Sequence, residues 1–186
     1  MLPWSGVPNL ITLLRIGLIP IFIICFYLPF TDAHIFAAFI FALACITDWL
    51  DGYLARKLQQ TSPFGAFLDP VADKLLVASS LVMLVGSPDL KYISIPAIII
   101  VGREIVISAL REWMAEIGSR TSVAVGYIGK VKTFMQMLAI ILLLAFKPSV
   151  SYLGVIAVVL LYLAAIMTVW SMILYLKVAW PKLIKN

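Results

Sequence analysis

Apolar positions in this chain fall into six long runs separated by short polar breaks. The first extends from about Leu10 to Phe30, the second from Ile35 to about Leu54 and the third from Pro63 to about Val85. The fourth covers about Tyr92 to Leu110, the fifth about Lys130 to Phe146, and the sixth about Tyr152 to Leu176. A helix needs about 20 predominantly apolar residues to cross the hydrocarbon core, so each run reads as a membrane-spanning helix. The sixth is long enough to lie tilted. Thr31–His34, Gly86–Asp89 and Lys147–Ser149 read as turns, and Glu112–Gly129 as a longer polar connection. Ser62 followed by Pro63 reads as a helix cap and a proline at the first helical position. That places Asp69 and Asp73 in the first turns of the third helix, where Pro70 removes a backbone donor and can bend it. Asp69 as the cap of a helix beginning at Pro70 is a secondary reading. Pro3, Trp4 and Pro8 precede the first run, and Trp4 suits a membrane interface. The pattern predicts an all-α integral membrane protein: six transmembrane helices in one domain, residues 1–186, after a short N-terminal interfacial segment.

Composition agrees with this picture and charge orients it. The chain is 63% hydrophobic, with a mean hydropathy of +1.10. Soluble domains hold about 45–50%, so a soluble helical bundle is excluded. The net charge is +5 and the pI about 9.3. In six alternating spans, 12 of the 14 lysines and arginines fall on one side, leaving Lys91 and Lys147 on the other. The positive-inside rule then places both termini in the cytoplasm. These bases face anionic lipid or an anionic substrate rather than nucleic acid. The first run is too long for a cleavable signal. Cys25 and Cys45 lie inside apolar runs with no metal-ligand spacing and no sign of a disulfide. His34, the sole histidine, reads as a solvated turn residue beside Asp32. Arg15, near the start of the first run, has two open readings: it snorkels to the interface, or it binds phosphate.

Against this apolar background, four of the nine acids stand together, Asp48, Asp51, Asp69 and Asp73. Ionisable groups at membrane depth are costly, and a cluster of them marks function. Asp48 and Asp51 are three apart and share one helix face; Asp69 and Asp73 are four apart and share another. Two helices joined by a short turn can therefore aim four carboxylates into one cavity. Such acids repel one another in low dielectric unless cations neutralise them. With oxygen ligands only, Mg²⁺, Mn²⁺ or Ca²⁺ suits the set and zinc does not. Gly52, Ala55 and Gly65 leave room for a ligand between helices, and Arg56 can pair with phosphate. Together these residues describe a diphosphate site. Helix packing alone would explain the small residues but not four acids at one turn. A cation-transport site would give no part to Arg56, Arg103 and Arg111.

Asp48-x-x-Asp51-Gly52-x-x-Ala55-Arg56, eight residues, Gly65-x-x-x-Asp69-x-x-x-Asp73 resembles the full signature of the CDP-alcohol phosphatidyltransferases, with every fixed position filled. The likeness extends to Pro8–Arg15, Phe67–Lys74, Arg103–Arg111 and Gly129–Thr133, which resemble bacterial members of the family that use a glycerol 3-phosphate acceptor. The resemblance implies a six-helix membrane enzyme, usually a homodimer, with its site at the cytoplasmic face of the bacterial inner membrane. It implies phosphatidyl transfer from CDP-diacylglycerol to sn-glycerol 3-phosphate, yielding phosphatidylglycerophosphate and CMP in phospholipid biosynthesis. It further implies that Asp48, Asp51 and Asp69 bind Mg²⁺ or Mn²⁺, two ions per site, and that Asp73 is the general base and also touches metal. Asp48, Asp51, Gly52, Ala55, Arg56, Gly65 and Asp69 would bind CDP-diacylglycerol. Arg103 and Arg111, eight apart, share a helix face; with Lys130 and Lys132 they are the candidates for the acceptor phosphate, and Glu104 for orienting Arg103. Serine, inositol phosphate or phosphatidylglycerol are the competing acceptors.

Overall fold

A computed structural model describes residues 7–58, 63–117 and 127–183. Six long helices follow one another: α1 (Val7–Tyr27), α2 (Ala33–Leu58), α3 (Pro63–Val85), α4 (Ser94–Glu116), α5 (Tyr127–Ala145) and α6 (Tyr152–Leu183). A short 3₁₀ segment, Pro88–Ile93, leads into α4. Among the described residues there is no strand. The all-α membrane bundle expected from the hydrophobic runs is the fold observed. Among the described residues, three stretches are long and apolar enough to cross a membrane on length and composition alone: Asn9–Tyr27, Ala33–Leu50 and Tyr152–Lys177.

Burial is that of a bundle in lipid. Large apolar side chains such as Ile24, Phe39, Ile98, Ile166 and Trp170 lie on the exterior. Inside, Ala37, Ala44, Ala72, Ala139, Ala157 and Ala164 are wholly buried. Lipid is as apolar as the core, so helices associate through close packing, and alanines at the seams permit it. α1 packs chiefly on α2 and α3, and α5 on α6 and α2. Phe22 and Phe41 meet at the α1–α2 seam, ring centroids 5.8 Å apart. At the far end of α5 the chain turns through Lys147 and Pro148 against the start of α6. A Cβ on Gly154 would stand 2.6 Å from the Pro148 nitrogen, so only glycine fits this crossing.

Several helices outrun the apolar pattern, and packing explains why. α2 continues to Leu58, so Asp48 and Asp51 share one uninterrupted helix. α4 does not stop at Leu110: Ile100, Ile107 and Met114, spaced by seven, stay buried along one face to its last turn. α6 does not stop at Leu176 but runs on to Leu183, with Ala179 buried against the bundle. The turn expected at Gly86–Asp89 is partly replaced by the 3₁₀ segment, whose Leu90 and Ile93 are buried. α3 begins at Pro63, as expected, and runs unbroken through Pro70. The proposed cap Ser62, the interfacial Trp4, most of the polar connection after α4 and Lys185 lie outside the described residues.

Candidate functional site

Three of the four signature aspartates meet around one face of α1. Arg15 is wholly buried, and its Nη1 stands 2.8 Å from Oδ1 of Asp48 on α2 and 2.8 Å from Oδ1 of Asp73 on α3. One nitrogen thus donates to two carboxylates, whose oxygens lie no more than twice that distance apart. One turn earlier, the Thr12 hydroxyl donates to Oδ1 of Asp69 at 2.7 Å. Thr12 and Arg15 are three apart on α1, and Asp69 and Asp73 four apart on α3, so each pair shares a face. The alignment of one face with the other follows from α1 and α3 running parallel.

Arg15 does not take the interfacial position that the sequence left open to it. It does not snorkel to water, because no part of it is exposed, and the groups it contacts here are carboxylates. A buried guanidinium left without its acids would cost about 3–5 kcal/mol, which explains why it draws them in. The acids remain accessible on the other side: the side chains of Asp48 and Asp73 are each 42% exposed. The cluster is closed by α1 at its back and open at its front.

The chemistry of the donor set fits an oxygen-preferring divalent cation, and the pair Asp48–Asp73 already holds a cationic group between its oxygens. Among the described residues no three acids, cysteines or histidines stand close enough together to hold a metal ion. The side chain of Asp51, one turn beyond Asp48, is not among those described, nor are those of Ala55 and Arg56 or the surroundings of Gly52. Gly65 is buried on α3, four before Asp69.

A second cluster joins α4, α5 and α6. Arg103 Nη1 donates to Glu104 Oε1 at 2.7 Å, as the adjacent acid led one to expect. The nearly buried Lys132 Nζ lies 3.5 Å from the same oxygen. Arg103 also reaches the Ser171 hydroxyl at 3.3 Å. Arg111 is exposed; it lies over the Tyr175 ring, 5.3 Å from the centroid, and its Nε donates to the phenolic oxygen at 3.2 Å. The two arginines, two turns apart on α4, thus both face α6. Lys130 is exposed in the first turns of α5.

A groove of about 410 Å³ between α3 and α4 is lined by Lys74, next to Asp73, and by Glu104, next to Arg103. Lys74 also donates to Ser108 across this groove. Its walls are otherwise largely apolar, with Leu75, Val77, Val101 and Ile105 among them. His34 stands apart, half-buried edge-on against Phe26 at the start of α2. Both cysteines are free, and Cys45 lies 3.5 Å from the Met137 sulfur.

Thr12, Ser171 and Tyr175 were not among the residues singled out in the sequence. For Thr12 a signal exists: Asn9, Thr12 and Arg15 repeat every three residues in an otherwise apolar run, and all three are buried. Ser171 and Tyr175, four apart near the end of α6, carry a weaker version of the same signal.

Comparison with known proteins bears on this arrangement. The sequence model of the CDP-alcohol phosphatidyltransferases matches residues 5–170. The chain is 52% identical over 179 residues to a CDP-diacylglycerol–glycerol-3-phosphate 3-phosphatidyltransferase of Pseudomonas fluorescens, covering 96% of this chain and 92% of that one. It is 52% identical to the protein of the same name from Haemophilus influenzae, over 97% of both chains. The Pectobacterium atrosepticum protein of that name is 53% identical over 94% of each. The signature aspartates, gathered at one end of a six-helix bundle, therefore sit in a chain that belongs to the CDP-alcohol phosphatidyltransferase family.

Proposed function

We propose that this membrane protein transfers the phosphatidyl group of CDP-diacylglycerol to sn-glycerol 3-phosphate, releasing CMP and forming phosphatidylglycerophosphate for phospholipid biosynthesis. The observation that carries this reading is the convergence of Asp48, Asp69 and Asp73 on Thr12 and Arg15 of α1, with the side chains of Asp48 and Asp73 still part-exposed. Relatives that share half their residues with this chain over nearly its full length bear the name of that reaction.

Asp48, Asp51 and Asp69, with Asp73 adjoining, would hold two Mg²⁺ or Mn²⁺ ions through carboxylate oxygens. When bound, such ions offset the charge of the diphosphate and of the departing CMP. The residues of the chain do the rest. Gly52, Ala55 and Gly65 leave space for the cytidine diphosphate, and Arg56 pairs with it. Asp73 accepts the proton of the acceptor's C1 hydroxyl as its oxygen forms a bond to the phosphorus bearing diacylglycerol. The bond from that phosphorus to the CMP oxygen breaks, and CMP leaves with the electron pair. Arg103, Arg111, Lys130 and Lys132 hold the acceptor's own phosphate, with Glu104 and the α6 hydroxyls of Ser171 and Tyr175 setting the arginines. A doubly charged phosphate suits a cluster of guanidinium and ammonium groups.

Sidedness and assembly belong to the same reading. The acids, the basic cluster and the bulk of the lysines and arginines share one end of the bundle, which supports a cytoplasmic site and cytoplasmic termini in the inner membrane. A homodimer is supported by the family resemblance.

The direct test supplies purified protein with CDP-diacylglycerol, Mg²⁺ and one acceptor at a time, and measures CMP release. Glycerol 3-phosphate should support release, whereas serine, inositol phosphate and phosphatidylglycerol should not, and a chelator should abolish it. Release without acceptor preference would refute the acceptor assignment; cation uptake into vesicles with no CMP release would favour transport. Asp73→Asn should lower kcat by about 10²–10⁴-fold, as loss of a general base does, while Mg²⁺-dependent donor binding persists. Normal turnover would remove Asp73 from its role. Arg111→Ala should raise KM for glycerol 3-phosphate about tenfold and leave the donor KM within about twofold. An equal rise in both would make Arg111 a structural residue.

A further inference from the structure

None of the roles above falls to α1, yet α1 supplies the groups that touch three of the four acids. Arg15 has no exposure at all, and its Nη1 sits 2.8 Å from a carboxylate of α2 and 2.8 Å from one of α3. Thr12 secures Asp69 at 2.7 Å from the same helix face. Asp48 and Asp73 are open on their other side, so the guanidinium backs the site and leaves its front to ligands. Two carboxylates drawn this close repel one another unless positive charge stands between them. A bound divalent cation would supply that charge; Arg15 supplies it permanently.

We propose that Arg15 is a positioning residue: a fixed internal counter-charge that holds Asp48 and Asp73 in register and keeps the acid cluster assembled when no metal is bound. It acts through the acids and not by touching substrate. The proposal rests on the reading of these acids as metal ligands and base.

Its signature is an exchange between Arg15 and metal. Removing the guanidinium leaves repulsion that bound Mg²⁺ relieves, so the loss of stability is greatest without metal. The experiment follows thermal unfolding of the full-length protein in detergent, with chelator and with Mg²⁺, for wild type, Arg15→Gln, Arg15→Lys and Asp73→Asn, and for Arg15→Gln combined with Asp73→Asn. Arg15→Gln should lower Tm in chelator, and Mg²⁺ should raise it by more than it raises wild type. Arg15→Lys, which keeps the charge but not the fork, should fall between the two. In the Asp73→Asn background, where one repelling carboxylate is gone, Arg15→Gln should cost much less Tm. In turnover, Arg15→Gln should lower kcat about 100-fold through misplaced acids, with both KM values within about threefold.

A Tm loss equal in chelator and in Mg²⁺ would make Arg15 a packing residue and overturn the proposal. A raised KM for one substrate with kcat unchanged would make it a substrate contact and also overturn it. If Arg15→Gln does not accumulate, Arg15→Lys decides: a larger Mg²⁺ shift than wild type supports the proposal, and an unchanged shift and kcat overturn it. If Mg²⁺ shifts no variant and Asp73→Asn turns over normally, the assignment of the acids fails first, and this inference with it. A Mg²⁺ shift that is present but identical in wild type and Arg15→Gln defeats this inference alone.

Discussion

A guanidinium shut inside an apolar bundle is tolerated only where carboxylates surround it, and the packing of α1, α2 and α3 is arranged around that requirement. Arg15 lies at the point where the three helices meet, with Asp48 on one side and Asp73 on the other. The hydroxyl of Thr12 extends the same polar face to Asp69. Remove the charge and the acids repel; remove the acids and the charge is stranded. The interaction therefore ties α2 and α3 to α1 at the end of the bundle that carries the signature aspartates. The alanine seams deeper in the bundle set the helix separation that makes this meeting possible.

The remaining helices build the complementary half. Arg103 and Arg111 are both turned toward α6, one by Ser171 and one by Tyr175, while Glu104 draws Lys132 in from α5. One bundle thus carries an acidic cluster suited to divalent cations and a basic cluster suited to a phosphate, while a largely apolar groove between α3 and α4 is lined by Lys74 and Glu104, the sequence neighbours of Asp73 and Arg103. The proposed transfer between two phosphorylated substrates calls for such a pair: acids for the metal and diphosphate of the donor, and cationic side chains for the phosphate of the acceptor.

Much of this was legible in the chain itself. Apolar runs of spanning length specify helices, and spacings of three and four place Asp48 with Asp51 and Asp69 with Asp73 on common faces. The partner of Arg15 was not legible, because which helix faces which is decided by tertiary packing and not by local spacing. Snorkelling was a sound expectation for one arginine near the start of a span, and only the carboxylates arriving from α2 and α3 defeat it. The extra turns of α4 and α6 were missed for the same reason. Their last turns are polar or mixed in sequence, yet Met114 and Ala179 are buried in the bundle. Thr12 is a single hydroxyl among apolar residues, and it gains meaning only once Asp69 stands opposite.

The central claim is that the four aspartates form a metal cradle organised from behind by α1. Crystals of the protein grown with Mn²⁺ and a non-reactive CDP-diacylglycerol analogue would test it through the anomalous scattering of manganese. The account predicts manganese peaks bounded by carboxylate oxygens of Asp48, Asp51 and Asp69, with the Arg15 side chain still buried behind them. Manganese bound elsewhere, or an analogue diphosphate seated with no metal among these aspartates, would contradict it.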